Sequence, residues 1–182
     1  VLALAVLLLA VVAHQEGVQF ADAQLERLVR EKLKKPAGPL ARSDLLEITR
    51  LDAKARNIKR LDGIELLHRL EVLNLQENEV RDLAPLQTLG KLVDLNLCNN
   101  RISDLAAVNF QVLAELPLRR LSLRNNNVRV ADVGRIRLSD LTPLAALTSL
   151  EELDLRDNHV ADIAPLAGIG NLKVLDLRGN QV

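Results

Sequence analysis

The chain has 182 residues, enough for one ordinary domain, and 48% of them are apolar, which is ample for a core. Lysine plus arginine equals aspartate plus glutamate at 24 each, so no net field draws the chain to nucleic acid or an anionic membrane, and a charged partner must meet a local patch. The single cysteine, Cys98, excludes an intrachain disulfide and a cysteine-based zinc cluster.

The opening VLALAVLLLAVVA is an unbroken apolar run followed by HQEG. It is short for a membrane span and fits the apolar core of a secretory signal peptide, with Val11-Val12-Ala13 as a small-residue cleavage site. No methionine occurs and no basic residue precedes the run, which fits a truncated start. Residues 1–19 are therefore expected to be a signal peptide or signal anchor; a buried element of the fold is the alternative. Next, DAQLERLVREKLKK places Leu25, Leu28, Val29 and Leu33 on one helical stripe behind an Asp22 N-cap. Lys32, Lys34 and Lys35 complement the dipole at its C-terminal end. Pro36-Ala37-Gly38-Pro39 breaks the chain, and Ser43-Asp44 begins a second short helix leading into Ile48.

From Ile48 onward the chain repeats. The ruler LxxLxLxxNxV fits Leu70-Leu73-Leu75-Asn78-Val80, Leu92-Leu95-Leu97-Asn100-Ile102, Leu118-Leu121-Leu123-Asn126-Val128, Leu150-Leu153-Leu155-Asn158-Val160 and Leu172-Leu175-Leu177-Asn180-Val182. Ile48-Leu51-Ala53-Arg56-Ile58 is an imperfect earlier copy, with Arg in place of Asn. Successive copies start 22, 22, 26, 32 and 22 residues apart, and DLAPLQTL, DLTPLAAL and DIAPLAGI form the second half of three units. These are leucine-rich repeats.

Each ruler position has a physical reason. Alternation in LxL puts two leucines on one face of a short strand and the intervening residues on the other, so stacked units build a parallel sheet. The turn after the strand buries backbone groups, and an asparagine side chain both donates and accepts. Asn78, Asn100, Asn126, Asn158 and Asn180 are thus expected to form a structural column. Pro85, Pro143 and Pro165 suit the first turn of a short helix, with Asp82, Asp140 and Asp162 placed to cap it. One unit cannot bury its apolar face alone, so neighbours must stack and the ends need caps. Residues 20–47 are expected to be the helical N-terminal cap and 48–182 about five and a half repeats, stopping within a unit.

FADAQLERLVREKLKKPAGPLARSDLLEITRLDAKARNIKRLDGIELL (20–67), followed by NxVxDLxPLxxLxxL units, resembles the internalin-type leucine-rich repeats of bacterial extracytoplasmic proteins. The resemblance covers residues 20–182. It implies an α/β solenoid with a curved parallel sheet on the concave side, short 3-10, loop or helical segments on the convex side, and protein recognition on the concave face. Internalins that grip host receptors line that face with aromatic residues. This chain's aromatics are Phe20 and Phe110 alone, so receptor binding of that kind is not carried over.

The outward strand positions form three columns. Ruler position three carries Arg50, Val72, Asp94, Arg120, Glu152 and Val174; position five carries Asp52, Asn74, Asn96, Ser122, Asp154 and Asp176; position seven carries Lys54, Gln76, Cys98, Arg124, Arg156 and Arg178. They read either as a ladder of surface ion pairs or as a docking strip in which Arg120, Arg124, Asp154, Arg156, Asp176 and Arg178 meet a partner. Cys98, in the exposed column, is expected to be a surface thiol.

Two repeats are lengthened. SDLAAVNFQVLAELP (103–117) has apolar residues at 105, 108, 112, 113 and 116, a spacing that predicts an α-helix with Phe110 on or beside it. Ten extra residues, placed between Val128 and Leu141, predict a loop or short hairpin at 129–138 that brings Arg129, Arg135 and Arg137 to a partner, or else a tolerated surface insertion. Its Val130, Val133, Ile136 and Leu138 should pack on the solenoid flank or on a partner.

Nothing in the sequence marks an enzyme: it holds no glycine-rich phosphate loop, no GxSxG and no HExxH. His14, His68 and His159 lie far apart and read as surface or packing residues. No cofactor, metal or catalytic residue is expected. The reading is a monomeric, extracytoplasmic bacterial protein-recognition module with an unknown protein partner, no nucleic acid, and a membrane only through an N-terminal anchor. The alternatives are a targeting domain attached to an enzyme further along the chain, and a cytoplasmic scaffold of the phosphatase-regulator type.

Overall fold

The structure is a computed structural model describing residues 18–102, 109–130 and 134–182, with backbone alone over 127–130 and 134–137. Residues 1–17 of the expected signal segment, residues 103–108 and Val133 lie outside the described residues.

The N-terminal helix α1 spans Ala23–Leu33, and Asp22 caps it by accepting from Gln24 N (2.9 Å) and Leu25 N (3.3 Å). The other Asp22 oxygen accepts from Lys59 N at 2.8 Å and Arg60 N at 3.3 Å, tying the helix to the first repeat. Leu25, Leu28 and Val29 are buried, with Leu33 packed beside them. A one-turn helix α2 follows at Arg42–Leu45, where the Asp44 carboxylate accepts from Ala41 N at 2.9 Å.

Six three-residue strands then stack as one parallel sheet: β1 (Arg50–Asp52), β2 (Val72–Asn74), β3 (Asp94–Asn96), β4 (Arg120–Ser122), β7 (Glu152–Asp154) and β8 (Val174–Asp176). The register aligns Leu51, Leu73, Leu95, Leu121, Leu153 and Leu175 in one row facing the core. The backbone ladder runs past the strands, because position-eight N–H groups reach the next repeat: Glu77 to Cys98 O, Asn99 to Arg124 O, Asn125 to Arg156 O and Asp157 to Arg178 O, each at 2.9 Å. Position eight is left-handed in every copy, at Ala55, Glu77, Asn99, Asn125, Asp157 and Gly179, with φ between 51° and 75°. Asn, Asp and Gly tolerate that region best, and four of the six copies use them.

The buried turn is held by the asparagines. Asn100 Nδ2 donates to Leu75 O (2.9 Å), Leu97 O (3.1 Å) and Cys98 O (3.3 Å), while its Oδ1 accepts from Val80 N (3.2 Å). Asn78 and Asn126 likewise donate to the carbonyls of their own and the preceding repeat and accept N–H groups from the preceding turn. In the first repeat Arg56 occupies this position. Facing the cap and not another repeat, it forms an ion pair with Glu31 of α1 at 3.1 Å.

The convex side carries 3-10 turns at Ile64–Leu66, Ala84–Leu86, Phe110–Glu115, Thr142–Ala146 and Ala164–Gly168. Asp82, Asp140 and Asp162 accept from the N–H two residues on, at 2.8–2.9 Å. The α-helix expected within 103–117 is corrected over its described part, which is 3-10. Three residues per turn put Phe110, Leu113 and Leu116 on one buried side, a spacing the α-helical reading had assigned otherwise.

A second correction concerns the insertion. Leu138, fully buried, takes the core place assigned to Val128: His159 N donates to Leu138 O at 2.9 Å, as Gln181 N does to Val160 O and Glu79 N to Ile58 O. Between Asn126 and Leu138 the chain makes an antiparallel hairpin of β5 (Asn127–Val130) and β6 (Gly134–Arg137). The side chains of Val130 and Ile136 lie outside the described structure.

Asn100→Ala strips partners from several buried backbone groups at roughly 1–3 kcal/mol each. It is expected to lower stability by about 3 kcal/mol in urea unfolding, with an unchanged denaturant slope. Asn180→Ala, only partly buried, should cost clearly less.

Candidate functional site

Because the inner face of each strand is leucine packed into the core, the outer face carries whatever chemistry the sheet offers. The alternation is visible in the burial of β4 and β7, where Leu121 and Leu153 are buried between exposed or half-buried neighbours. On this face lies a hollow of about 270 Å³ spanning β3, β4, β7 and β8. It is lined by Asp94, Asn96, Arg120, Ser122, Glu152, Asp154, Arg156, Val174 and Asp176, together with the strand positions of Leu121 and Leu153, whose side chains face the core.

The charges are mostly engaged with one another. Arg120 Nε donates to Asp94 Oδ2 at 2.9 Å, across neighbouring strands. Arg156 grips Asp154 with two bonds, Nε to Oδ1 at 2.9 Å and Nη2 to Oδ2 at 2.7 Å, and lies 3.4 Å from Asp176. Arg178 holds Asp176 in the same way, Nη2 to Oδ2 at 2.6 Å. Arg124 reaches Asp157 Oδ2 at 2.8 Å. The Asp-x-Arg spacing within a strand produces the two forked pairs, since residues two apart share a face. That spacing is plain in DLR at 154–156 and 176–178, but reading the columns separately hides it.

Within the hollow four carboxylates (Asp94, Glu152, Asp154, Asp176) face two guanidinium groups (Arg120, Arg156), a net of minus two. Glu152 is exposed and, among the described residues, makes no ion pair; Val174, opposite it on β8, is 53% exposed. Burial pushes the Asp154 carboxyl up, but hydrogen bonds from the Arg156 side chain and backbone and from Ser122 outweigh it and hold the group below the usual carboxylate range. The Arg178 guanidinium brings Asp176 down to about 2.

Cys98 is a correction to the expected surface thiol. It is 7% exposed, its Sγ lies 2.8 Å from Ser122 Oγ, and burial pushes the thiol pKa up. Position seven lies where the strand bends into the buried turn, so a small side chain there sinks beside the next repeat while arginines reach out. Ser122 in turn donates to Asp154 Oδ2 at 3.0 Å, a link that sequence columns do not reveal.

Of the remaining residues singled out from sequence, Arg129 pairs with Arg135 and Asn127 with Arg137 across the hairpin, which forms its own two-stranded sheet. It leaves the chain two residues after Arg124, beyond the C-terminal end of β4. His68 and His159 are exposed, no metal-holding group of His, Cys, Asp or Glu exists among the described residues, and no described helix is long and apolar enough to cross a membrane.

The family profile of leucine-rich repeats in two copies matches residues 118–168 and 148–182. Internalin InlF of Listeria monocytogenes is 32% identical and superposes with a TM-score of 0.74, over 90% of this chain and 45% of that protein. This chain is an internalin-type leucine-rich repeat protein. It spans less than half the length of InlF. A Leptospira interrogans leucine-rich repeat protein (24% identity, TM-score 0.63, 76% of this chain and 33% of that one) shares the fold. So does the functional domain of Listeria InlJ (21%, 0.59, 88% and 37%). The InlJ domain includes a cysteine ladder, for which this internalin-type chain, with Cys98 alone, has no counterpart. Comparison with curated proteins returns no match. The repeat family is one of protein-interaction modules.

Two measurements check the site's electrostatics. Cys98 should stay unmodified by Ellman's reagent at pH 8 in the native chain and react once urea unfolds it, because the thiol is both buried and raised. Asp176, depressed in the folded state, contributes its pairing fully above an unfolded value of about 3.9 and loses it as pH falls through about 2. An NMR titration of its side-chain carboxyl carbon should therefore show a midpoint near 2, and the Arg178→Ala variant a midpoint moved up toward the ordinary value.

Proposed function

We propose that this chain is a non-catalytic recognition module that binds another protein on its concave face, as a monomer outside the bacterial cytoplasm. The observation carrying the reading is the hollow: a sheet face that no described element covers, with a rim of oriented charges. The forked pairs fix the guanidinium groups of Arg156 and Arg178 and leave further N–H donors for a partner, while Arg120 and Arg124 stand exposed beside them. Glu152 and Val174 supply the carboxylate and the apolar contact that no described neighbour occupies. A partner presenting a cationic side chain with an aliphatic stem matches the hollow, and its acidic groups match the arginine column at positions 124, 156 and 178. Without Trp or Tyr anchors the face should bind with modest affinity. The apolar run at 1–13 and the surface or secreted character of internalin-type proteins support an extracytoplasmic location.

The test is a pull-down with the purified chain against bacterial and host surface-protein extracts, followed by direct titration of what is captured. Arg124→Ala/Arg156→Ala/Arg178→Ala should weaken binding about tenfold, near 1.4 kcal/mol, with the circular dichroism spectrum unchanged. Equal recovery by that variant rejects the arginine column. Equal recovery by Glu152→Lys/Val174→Asp as well rejects the concave face altogether.

A further inference from the structure

The hairpin stands apart from the six-stranded sheet, and both of its strands have an edge that pairs with no other described strand. β5 and β6 pair with each other alone, in a sheet separate from the six-stranded one. A two-stranded ribbon by itself is marginal in water, so its place here calls for cover.

The backbone defines which groups are on offer. Leu138 N donates to Asn126 O at 3.1 Å at the base of the hairpin, and Val128 pairs with Ile136 in register. Antiparallel alternation then turns the N–H and C=O of Asn127 and Arg129 on one edge, and of Arg135 and Arg137 on the other, away from the partner strand. The same register unites Asn127, Arg129, Arg135 and Arg137 at one parity, with Arg129 directly opposite Arg135. Like charges opposite one another disfavour a free ribbon. Residues 127–137 carry three arginines against one aspartate, a net of plus two in a chain whose net charge is zero.

From this geometry we infer that the β5–β6 hairpin is an edge receptor for an extended acidic segment of a protein partner, which adds to it as a third strand. Backbone hydrogen bonds along a free edge supply the attachment, and alternating carboxylates placed over Arg129, Arg135 and Arg137 supply the selectivity and relieve the repulsion between them. The inference rests on the protein-recognition reading above and names the chemistry of one part of that partner. The hairpin departs just beyond β4, two residues after Arg124.

The probe is a fluorescein-labelled peptide of four Glu-Val repeats, titrated by anisotropy against the whole chain at low salt. Binding is expected, with affinity falling as salt rises. Arg129→Gln/Arg135→Gln/Arg137→Gln should weaken it at least tenfold and flatten the salt dependence. A peptide N-methylated at alternate residues should lose binding, and a Lys-Val peptide should show none. Glu152→Lys/Val174→Asp should bind the peptide as the parent does, so a failed concave face and a failed hairpin give different results. The proposal is overturned if the parent chain ignores the peptide, if the triple Gln variant binds it equally, or if N-methylation has no effect. It is likewise overturned if phosphatidylserine vesicles, and not the peptide, are held through these three arginines.

Discussion

The solenoid depends on what happens at the end of each three-residue strand. There the chain turns away from the sheet with its carbonyls still inside the stack, and a buried C=O without a donor is costly. In every repeat after the first, one asparagine amide meets that need by donating to its own strand end and to the one before it, while its oxygen takes an N–H from the preceding turn. Every such side chain therefore spans two repeats. The pitch is fixed by the reach of this amide as much as by leucine packing, so the sheet stays in register whether the units are 22, 26 or 32 residues long.

That constraint also determines where extra chain can leave. An insertion before the asparagine would separate it from the carbonyls of its own strand. The hairpin instead departs directly after Asn126, with both of that residue's donor contacts intact, to Leu97 O at 3.0 Å and Leu123 O at 2.9 Å. Asn158 accepts from Asn126 N at 2.9 Å, as Asn78 does from Arg56 N at 3.2 Å beside its bond from Ile58 N, while Asn100 and Asn180 accept from the N–H two residues further on. The chain then re-enters at Leu138, which fills the core place that closes the turn.

The strands, the cap helix and the turn positions were legible because each rests on a short-range period: two for strands, near four for α1, and the offset from Asp to Pro for the convex turns. The closing residue of the fourth repeat was not. Val128 and Leu138 are both aliphatic, and either restores the spacing to Leu141 when the ten extra residues are assigned elsewhere; only the bond from His159 to Leu138 decides between them. Cys98 was misplaced for a related reason. A column of outward positions treats the seventh residue of each repeat alike, whereas exposure there depends on side-chain length: Arg124 reaches solvent, and a thiol one atom beyond Cβ stays against Ser122. The 3-10 turn at Phe110–Glu115 shows the same limit, since a single i, i+3 step fits either period.

The concave face shows how self-pairing changes the meaning of a charge column. Arginines counted by themselves suggest an anion-binding strip, yet the structure sets each of Arg120, Arg124, Arg156 and Arg178 on a carboxylate of its own chain. Exposed pairs of this kind add little stability, a median of about 0–1 kcal/mol each. Their larger effect is orientation, because a guanidinium held by a fork has already lost the rotamer freedom that a partner would otherwise have to remove. A partner meets a surface with nearly balanced charge and fixed donors. Long-range attraction to this face is therefore weak, and selectivity must come from matching the pattern at contact range. The hairpin is the opposite case, a local excess of positive charge in a neutral chain, so steering and matching are divided between two neighbouring surfaces.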